Sequence, residues 1–348
     1  MIKKFKSLTL LVFLLILSQS VYSQEAGSCA EKLQTAQALF EKGLVDQVPG
    51  MISGCLKSGF TREESLAAYK LLVQAYLLED MPERADSVML AFLKKNPEYE
   101  ISPTDHSSFV NVFNNFNSRV LFQVSGHVGS NVPFVIISRG QSLSGVPGQK
   151  KYSTEAFNLY LSLELKFKLS KKLEVNAEAG FSQFAFSKSE IIDGFSTTLS
   201  QESQRRIELP LSATYDVFRV GKFTPYIRLG SGPALIVGTS AKTDINPLYR
   251  IPDDRPQNEI SLKSRRIFMD LMIQAGGGLK YKIRQGFFFG EVRSNLGVSN
   301  QSTFKSYSGL DNDYNWFYLN GDDNFRMNSL NINFGYTRIF YKPSKKEN

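Results

Sequence analysis

The sequence predicts an α+β protein in two domains, a small α-helical module followed by an eight-stranded antiparallel transmembrane β-barrel. Two observations carry this prediction. Apolar residues repeat at helical spacing only in the first hundred residues, and from about residue 118 they alternate with polar ones. The links that join these alternating segments are short and long by turns along the chain, so that each short link is followed by a long one. This pattern is typical of outer-membrane barrels. Of the 348 residues, 42% are hydrophobic and 12% aromatic, a composition that suits a β-rich chain with a buried core.

The first 23 residues predict an export signal. A lysine-rich start is followed by an almost continuously apolar stretch over 8–17, and cleavage is expected before Gln24. Removing this segment takes the formal charge from +8 to +5. The remaining excess is spread along the chain without a basic run, so we expect no nucleic-acid partner.

The only two cysteines, Cys29 and Cys55, predict one disulfide in an exported chain. One predicted helix begins near Cys29, and Val48, Met51 and Ile52 repeat at helical spacing in a second. A bridge would join these helices as a hairpin. Closing so long a loop should stabilise the hairpin by roughly 3 to 4 kcal/mol.

A second helical pair follows. Thr61 and Glu64 form a predicted capping box at the start of its first helix, and Pro82 begins its second helix. Five residues fall where a tetratricopeptide repeat places its packing residues: Tyr69, Leu72, Tyr76, Ala85 and Pro97. The module therefore resembles one such repeat, preceded by a degenerate one. This resemblance implies a concave face that binds polypeptide; the alternative is a helical cap with no ligand.

The alternating pattern is clearest over 157–169, where phenylalanine and leucine on one face oppose charged and polar residues on the other. Eight such segments are predicted, at roughly 119–136, 156–169, 172–187, 204–218, 222–237, 264–283, 287–299 and 326–342. The predicted organisation is a signal peptide (1–23), a helical module (24–100), a linker (101–117), a barrel (118–343) and a C-terminal tail (344–348).

The links predict the orientation of the barrel. Short links at 170–171, 219–221 and 284–286 alternate with long polar ones, including 238–263 and 300–325. In an outer-membrane barrel, short turns and both chain ends face the periplasm, so the helical module is expected there. The alternative is a soluble β-sandwich or lipocalin-like barrel, which would turn its charges outward.

Charges on the polar face are nearly balanced in sign, as expected of side chains that pair across a narrow lumen. The predicted network comprises Glu164, Glu178, Glu208, Arg228, Asp270 and Arg293. Because side chains largely fill an eight-stranded barrel, these charges are interpreted as a stabilising network rather than a solute path.

No catalytic residue, metal or cofactor is predicted. The two histidines, His106 and His127, leave little material for a triad or a metal site. In the loop 311–322, Asp311, Asp313 and Asn315 have the spacing of a calcium loop, but Trp316 and Asp322 replace the required glycine and glutamate. A solvated acidic loop is favoured. Its aromatic residues, Tyr314, Trp316, Phe317 and Tyr318, predict an interfacial belt or an extracellular contact patch.

The predicted architecture resembles the porin-family outer-membrane β-barrel proteins of Bacteroidota. The resemblance covers the signal segment, the helical module, the stretch NPEYEISPTDHSSFVNVFNNF at 96–116 and the barrel. The resemblance implies an envelope protein associated with secretion, gliding or outer-membrane assembly machinery. Our functional hypothesis is a non-enzymatic barrel, in contact with outer-membrane lipid, that anchors a periplasmic adaptor for other envelope proteins. The alternatives are a narrow pore or solute-binding barrel, and an adhesin acting through extracellular loops.

Overall fold

The computed structural model describes residues 26–140, 149–154, 158–192, 196–247, 259–303 and 322–346. Within these residues the chain combines a small helical part with a ring of eight strands, as predicted. It divides into two compact units, Met1–Arg119 with Tyr341–Asn348, and Val120–Phe340. The predicted signal segment lies outside the described residues. So does the loop 311–322 except for Asp322.

The described part of the helical unit contains five α-helices: α1 (Ala26–Glu41), α2 (Val48–Ile52), α3 (Arg62–Leu78), α4 (Pro82–Lys95) and α5 (Ser107–Asn114). Short 3₁₀ turns at Val45–Gln47 and Gly54–Leu56 flank α2. The capping box is confirmed, because Thr61 and Glu64 each accept a backbone N–H from the other. No helix of the described residues is long and apolar enough to cross a membrane.

The predicted disulfide between Cys29 and Cys55 is confirmed. It joins α1 to the 3₁₀ turn after α2, and both sulfur-bearing residues are buried. Gly59 lies against it with a φ of +115°, and a Cβ there would come within 2.7 Å of the Cys29 Sγ. This position therefore requires glycine for both its backbone conformation and its lack of a side chain.

Two apolar clusters form the core of the helical unit. Of the five predicted packing residues, Leu72 and Ala85 are fully buried, and Tyr69 is buried against Phe92 with ring centroids 5.9 Å apart. Tyr76 is half-buried and touches both clusters. Pro97 is only partly buried and belongs to neither cluster. Four of the five positions thus contribute to the packing of this unit.

Residues 101–117, predicted as a linker, contain α5 and supply part of the core. Phe109 is fully buried, packs edge-on against Phe92 at 5.5 Å, and is joined in the cluster by Val112 and Phe116. The side chain of Asp105 ties the preceding loop to α3. It accepts hydrogen bonds from Lys70 Nζ at 2.5 Å, from the Tyr99 hydroxyl at 2.6 Å and from a backbone N–H. A helix of two turns is too short to stand out as a periodic pattern.

We expect the stability of the helical unit to depend on pH through Asp105. Burial favours the neutral acid, but hydrogen bonds from Lys70, Tyr99 and the Ser102 backbone together hold the pKa of this carboxyl below its ordinary value. Stability from a depressed pKa is present above about pH 3.9 and is lost as the pH falls further. An Asp105→Asn variant should lose about 1.5 to 3 kcal/mol near neutral pH and lack this acid-dependent loss.

Hydrogen exchange of the α3 and α5 amides in the full-length protein measures this effect. Glu31→Gln, at an exposed position on α1, is the matched control and should behave like the wild type. Equal exchange rates in the Asn variant and the wild type would show that Asp105 does not support the unit.

The chain terminus belongs to the helical unit. The Tyr341 hydroxyl donates to Glu98, Lys345 pairs with Asp86, and the Lys346 backbone N–H donates to the Asn115 carbonyl. Residues 344 and 345, predicted as part of the C-terminal tail, are the end of the last strand.

Eleven strands are described: β1 (Phe116–Arg139), β2 (Gln149–Thr154), β3 (Asn158–Lys168), β4 (Leu173–Ile192), β5 (Ser196–Glu208), β6 (Leu211–Asp216), β7 (Phe223–Pro247), β8 (Glu259–Ser261), β9 (Met269–Ile283), β10 (Gly286–Gly297) and β11 (Asn324–Lys345). The order of strands around the ring is β1, β3, β4, β5 together with β6, β7, β9, β10 and β11. The ring closes because β11 is hydrogen-bonded to β1. β3 pairs with the first part of β4 and β2 pairs with its last part, and β8 pairs with β7.

The fourth predicted segment, 204–218, is two strands in one position of the ring. Pro210 separates β5 from β6 because proline cannot donate to a strand ladder. Its carbonyl accepts from the Glu178 backbone N–H at 3.1 Å, and the Leu209 N–H donates to the Pro233 carbonyl at 2.9 Å. The chain therefore stays attached to both neighbouring strands across the break.

The strict alternation of long and short links is only partly correct. The implied link 188–203 is mostly strand, because β4 continues to Ile192 and β5 begins at Ser196. Much of the predicted link 238–263 is also strand, belonging to β7 and β8. At this end of the barrel the strands form long hairpins, whereas at the other end they turn tightly.

The two faces of the barrel have the polarity expected in a membrane. Leu163 on β3 and Leu229 on β7 are 67% and 63% exposed on the outside. Their sequence neighbours Glu164 and Arg228 point inward and are each 1% exposed. A soluble barrel would have the opposite arrangement, with apolar residues inside.

Candidate functional site: the charged interior of the barrel

Alternation along four strands positions the interior charges. Glu164 on β3, Glu178 on β4, Arg228 on β7, and Glu291 with Arg293 on β10 occupy inward positions and are 5% exposed or less. We call these five residues the central charge cluster. Each stands between two outward residues of its strand, so the backbone pleat alone directs all five side chains into the lumen.

Arg228 lies between three carboxylates. Its Nη1 is 2.5 Å from Glu164 Oε1 and 3.6 Å from Glu178 Oε2, and its Nε is 2.9 Å from Glu291 Oε2. Arg293 completes the cluster, with Nη1 2.9 Å from Glu178 and Nη2 2.6 Å from Glu291. Two guanidinium groups therefore compensate three carboxylates in a space closed to solvent, where removal of one partner is costly.

Neutral and basic groups complete the surroundings of the three glutamates. The hydroxyls of Tyr160 and Tyr226 donate to Glu178 at 2.5 Å and to Glu291 at 3.0 Å. His127 Nε2 lies 2.9 Å from Glu164, and Lys166 Nζ lies 3.1 Å from the same carboxylate. These contacts spread the excess negative charge over several donors.

Two of the predicted network residues form no ion pair with the central charge cluster among the described residues. Glu208 accepts a hydrogen bond from Ser182 at 2.5 Å and has no ion-pair partner among the described residues. Asp270 is 3.9 Å from Arg206 Nη1 and accepts from Gln301 at 2.8 Å. The structure thus brings together four of the six predicted residues, Glu164, Glu178, Arg228 and Arg293, and adds Glu291. Glu291 has the same alternation signal but was not placed in the predicted network.

A second group of charges closes the end of the barrel that carries the long hairpins. Arg266 donates to Glu202 at 2.8 and 2.6 Å and to both oxygens of Asp322 at 3.0 Å. Asp323 accepts from Lys150 at 2.7 Å and from Tyr152 at 2.6 Å. We call Lys150, Glu202, Arg266, Asp322 and Asp323 the mouth cluster. The sequence prediction missed it because all of its members except Arg266 lie in stretches that were predicted as links between strands.

The mouth is also packed with aromatic side chains. Phe186 and Phe325 contact each other at 5.8 Å between ring centroids, and Arg266 lies over the Phe325 ring at 5.2 Å. The cavity enclosed there has a volume of about 20 Å³. Between the described residues that line it, a space of this size holds little more than one water molecule.

Near the tight turns, a third layer pairs Lys280 with Glu174 at 2.8 Å and with Asp216 at 2.7 Å. Charged side chains thus form buried ion pairs at all three levels described. Among the described residues no group of three histidine, cysteine, aspartate or glutamate side chains is placed to hold a metal. The arrangement is suited to holding strands together by buried ion pairs.

Comparison with known proteins gives similarity at the level of whole structures only. No known protein family and no curated protein matches the sequence. Among solved structures, Neisserial surface protein A is 12% identical, with a TM-score of 0.30, over 63% of this chain and 97% of its own. The outer membrane protein AlkL is 11% identical, with a TM-score of 0.35, over 70% and 97%. The outer membrane enzyme PagL is 14% identical, with a TM-score of 0.27, over 61% and 97%.

The similar structures include an enzyme as well as proteins not described as enzymes. The barrel is therefore defined by its own strand pairing and by the polarity of its two faces.

Proposed function

We propose that this protein is a non-enzymatic outer-membrane protein whose closed barrel anchors a periplasmic helical adaptor. The observation that carries the membrane location is the apolar outer wall, formed on β3 by Leu159, Leu161, Leu163, Leu165 and Phe167, around an ionised interior. An apolar surface of this extent is unfavourable in water and favourable against lipid. The tight turns support a periplasmic position for this end and for both chain ends of the barrel.

Two features support the roles given to each unit. The buried ion pairs across the interior and at the mouth, among the described residues, favour an anchor over a pore. In the helical unit, Leu78 is 66% exposed and Met81 is 38% exposed, and both lie at the turn between α3 and α4. Two large apolar side chains on one turn are suited to contact with a protein partner. The tetratricopeptide-like packing positions agree with that role.

The membrane location predicts a heat-dependent gel shift. The purified protein should run faster unheated than boiled, because a closed barrel stays compact in detergent. It should also remain in the membrane fraction after carbonate washing. Equal mobility together with release by carbonate would contradict the proposal and indicate a soluble β-domain.

The anchor role predicts little or no conductance in planar bilayers. In the described part of the barrel, the side chains of the mouth cluster and of the central charge cluster pair across the lumen, so current should stay near the level of the lipid alone. A large and steady conductance of the wild-type protein would instead support the narrow-pore alternative.

The adaptor role is tested by co-purification from gently solubilised envelopes. A Leu78→Ser/Met81→Ser variant should lose the partners that the wild type retains, while its barrel still shows the gel shift. Leu44→Ser, at another exposed apolar position of the same unit, is the matched control. If the double variant keeps every partner, the α3–α4 turn is not the binding surface. If deletion of residues 24–100 also keeps them, the adaptor role is wrong.

A further inference from the structure

The tight-turn end of the barrel carries a ring of positive charge. Seven exposed cations lie on the three turns and on β11: Lys168, Lys171, Lys172, Arg219, Lys222, Arg284 and Arg338. We call them the basic collar. The stretches 168–172, 217–223 and 281–288 contain no aspartate or glutamate. The collar is therefore positive without an acidic residue in any of its three turns.

No described carboxylate neutralises the collar by an ion pair. The nearest acidic residues in sequence, Glu174 and Asp216, are held by Lys280 inside the barrel. The polar contacts that collar residues do make go to neutral groups. Lys172 donates to the Val217 carbonyl at 3.2 Å, and Arg219 donates to the Gly221 carbonyl at 3.2 Å. This differs from the interior, where cations face carboxylates directly.

The collar borders a belt of aromatic residues at the edge of the apolar wall. Phe223 and Tyr281 pair at 5.0 Å between ring centroids, and Phe288 and Tyr336 pair at 5.3 Å. All four are exposed on the outside of the barrel. Aromatic rings concentrate at the membrane–water interface, and lysine and arginine beyond them extend towards the headgroups. The order apolar wall, aromatic belt and cations is the order of hydrocarbon, interface and headgroup.

We propose that the basic collar binds the phosphates of anionic phospholipids in the leaflet on the tight-turn side of the membrane. This proposal rests on the membrane location proposed above. Exposed cations at headgroup depth attract anionic lipids electrostatically, and several of them around one rim attract the lipids together. The chemistry recognised is a phosphodiester with net negative charge. A zwitterionic phospholipid carries no net charge and should not be enriched.

The test uses the full-length protein reconstituted in vesicles of phosphatidylcholine with and without phosphatidylglycerol. After mild detergent extraction, the lipids retained by the protein are measured by mass spectrometry. Phosphatidylglycerol should be enriched roughly five-fold or more over its bulk share at low salt, and less at high salt. In a Lys171→Gln/Lys172→Gln/Arg219→Gln/Lys222→Gln variant the enrichment should fall to the bulk share.

The matched control removes four exposed cations from the long-hairpin end, in a Lys151→Gln/Arg205→Gln/Lys242→Gln/Lys263→Gln variant. It should retain the enrichment. Equal enrichment in the collar variant and the wild type, or none in the wild type, would overturn the collar proposal. A protein that fails to insert into pure phosphatidylcholine vesicles, with no heat-dependent gel shift, would instead refute the membrane location. The two failures are therefore distinguishable.

Discussion

An Arg228→Met variant is expected to lose about 3 to 5 kcal/mol of barrel stability, because it leaves buried carboxylates without their main partner. Arg228 compensates Glu164 and Glu291 directly and lies near Glu178. Methionine approaches the length of the side chain but supplies no charge, so the loss reports on electrostatics more than on packing. Urea titration of the folded barrel in detergent, followed by the gel shift, measures the change.

Two further variants make this result interpretable. Arg205→Met removes an exposed outward arginine and should leave the urea midpoint nearly unchanged. Adding Glu164→Gln to Arg228→Met should recover part of the loss, because one uncompensated charge is removed together with its partner. An unchanged midpoint in Arg228→Met would mean that the central charge cluster does not hold the barrel together.

A Cys29→Ser/Cys55→Ser variant is expected to lose roughly 3 to 4 kcal/mol of stability in the helical unit. The bridge closes a loop with a sequence separation of 26 residues, and most of its effect arises from restricting the unfolded chain. Hydrogen exchange of α1 and α3 in the full-length protein should become faster. Reducing the wild type with dithiothreitol should reproduce the change.

The barrel supplies the internal control for the disulfide variant. Neither cysteine lies in Val120–Phe340, so the gel shift and the urea midpoint of the barrel should stay at wild-type values. Unchanged exchange in the helical unit would show that α1 and α2 are held by their apolar contacts alone.

Hydrophobic alternation predicted the strands well where one face is apolar and poorly where both faces are polar. On β3 every outward residue from Leu159 to Phe167 is apolar, and the predicted segment 156–169 closely matches the strand. On β5 the outward positions that precede Ile207 in the sequence include Arg205, Ser203 and Gln201. The inward positions of this part of the strand are also polar. With both faces polar there is no alternation to detect, so the protruding hairpins were predicted as loops.

The interior site shows a related limit. Alternation identifies which residues face the lumen, and it placed Glu164, Glu178, Arg228 and Arg293 there. It does not give the height of each residue along the barrel, because that depends on the register between neighbouring strands. Glu208 was therefore grouped with side chains with which it forms no ion pair among the described residues. Glu208 on β5 pairs with Gly180 on β4, which lies two residues after Glu178, so Glu208 and Glu178 are not directly opposite each other.

The central charge cluster has a consequence for how the barrel selects its strand register. Arg228 on β7 pairs with Glu164 on β3, and Arg293 on β10 pairs with Glu178 on β4; in neither pair are the strands neighbours in the ring. A slip of β7 by one residue would turn Arg228 onto the apolar outer face; in the membrane location proposed above, an arginine there costs about 2 to 4 kcal/mol at the midplane. It would also leave Glu164 without its arginine. Mispaired sheets are thus penalised on both faces, and the charges favour closure only when strands far apart in the sequence are correctly aligned.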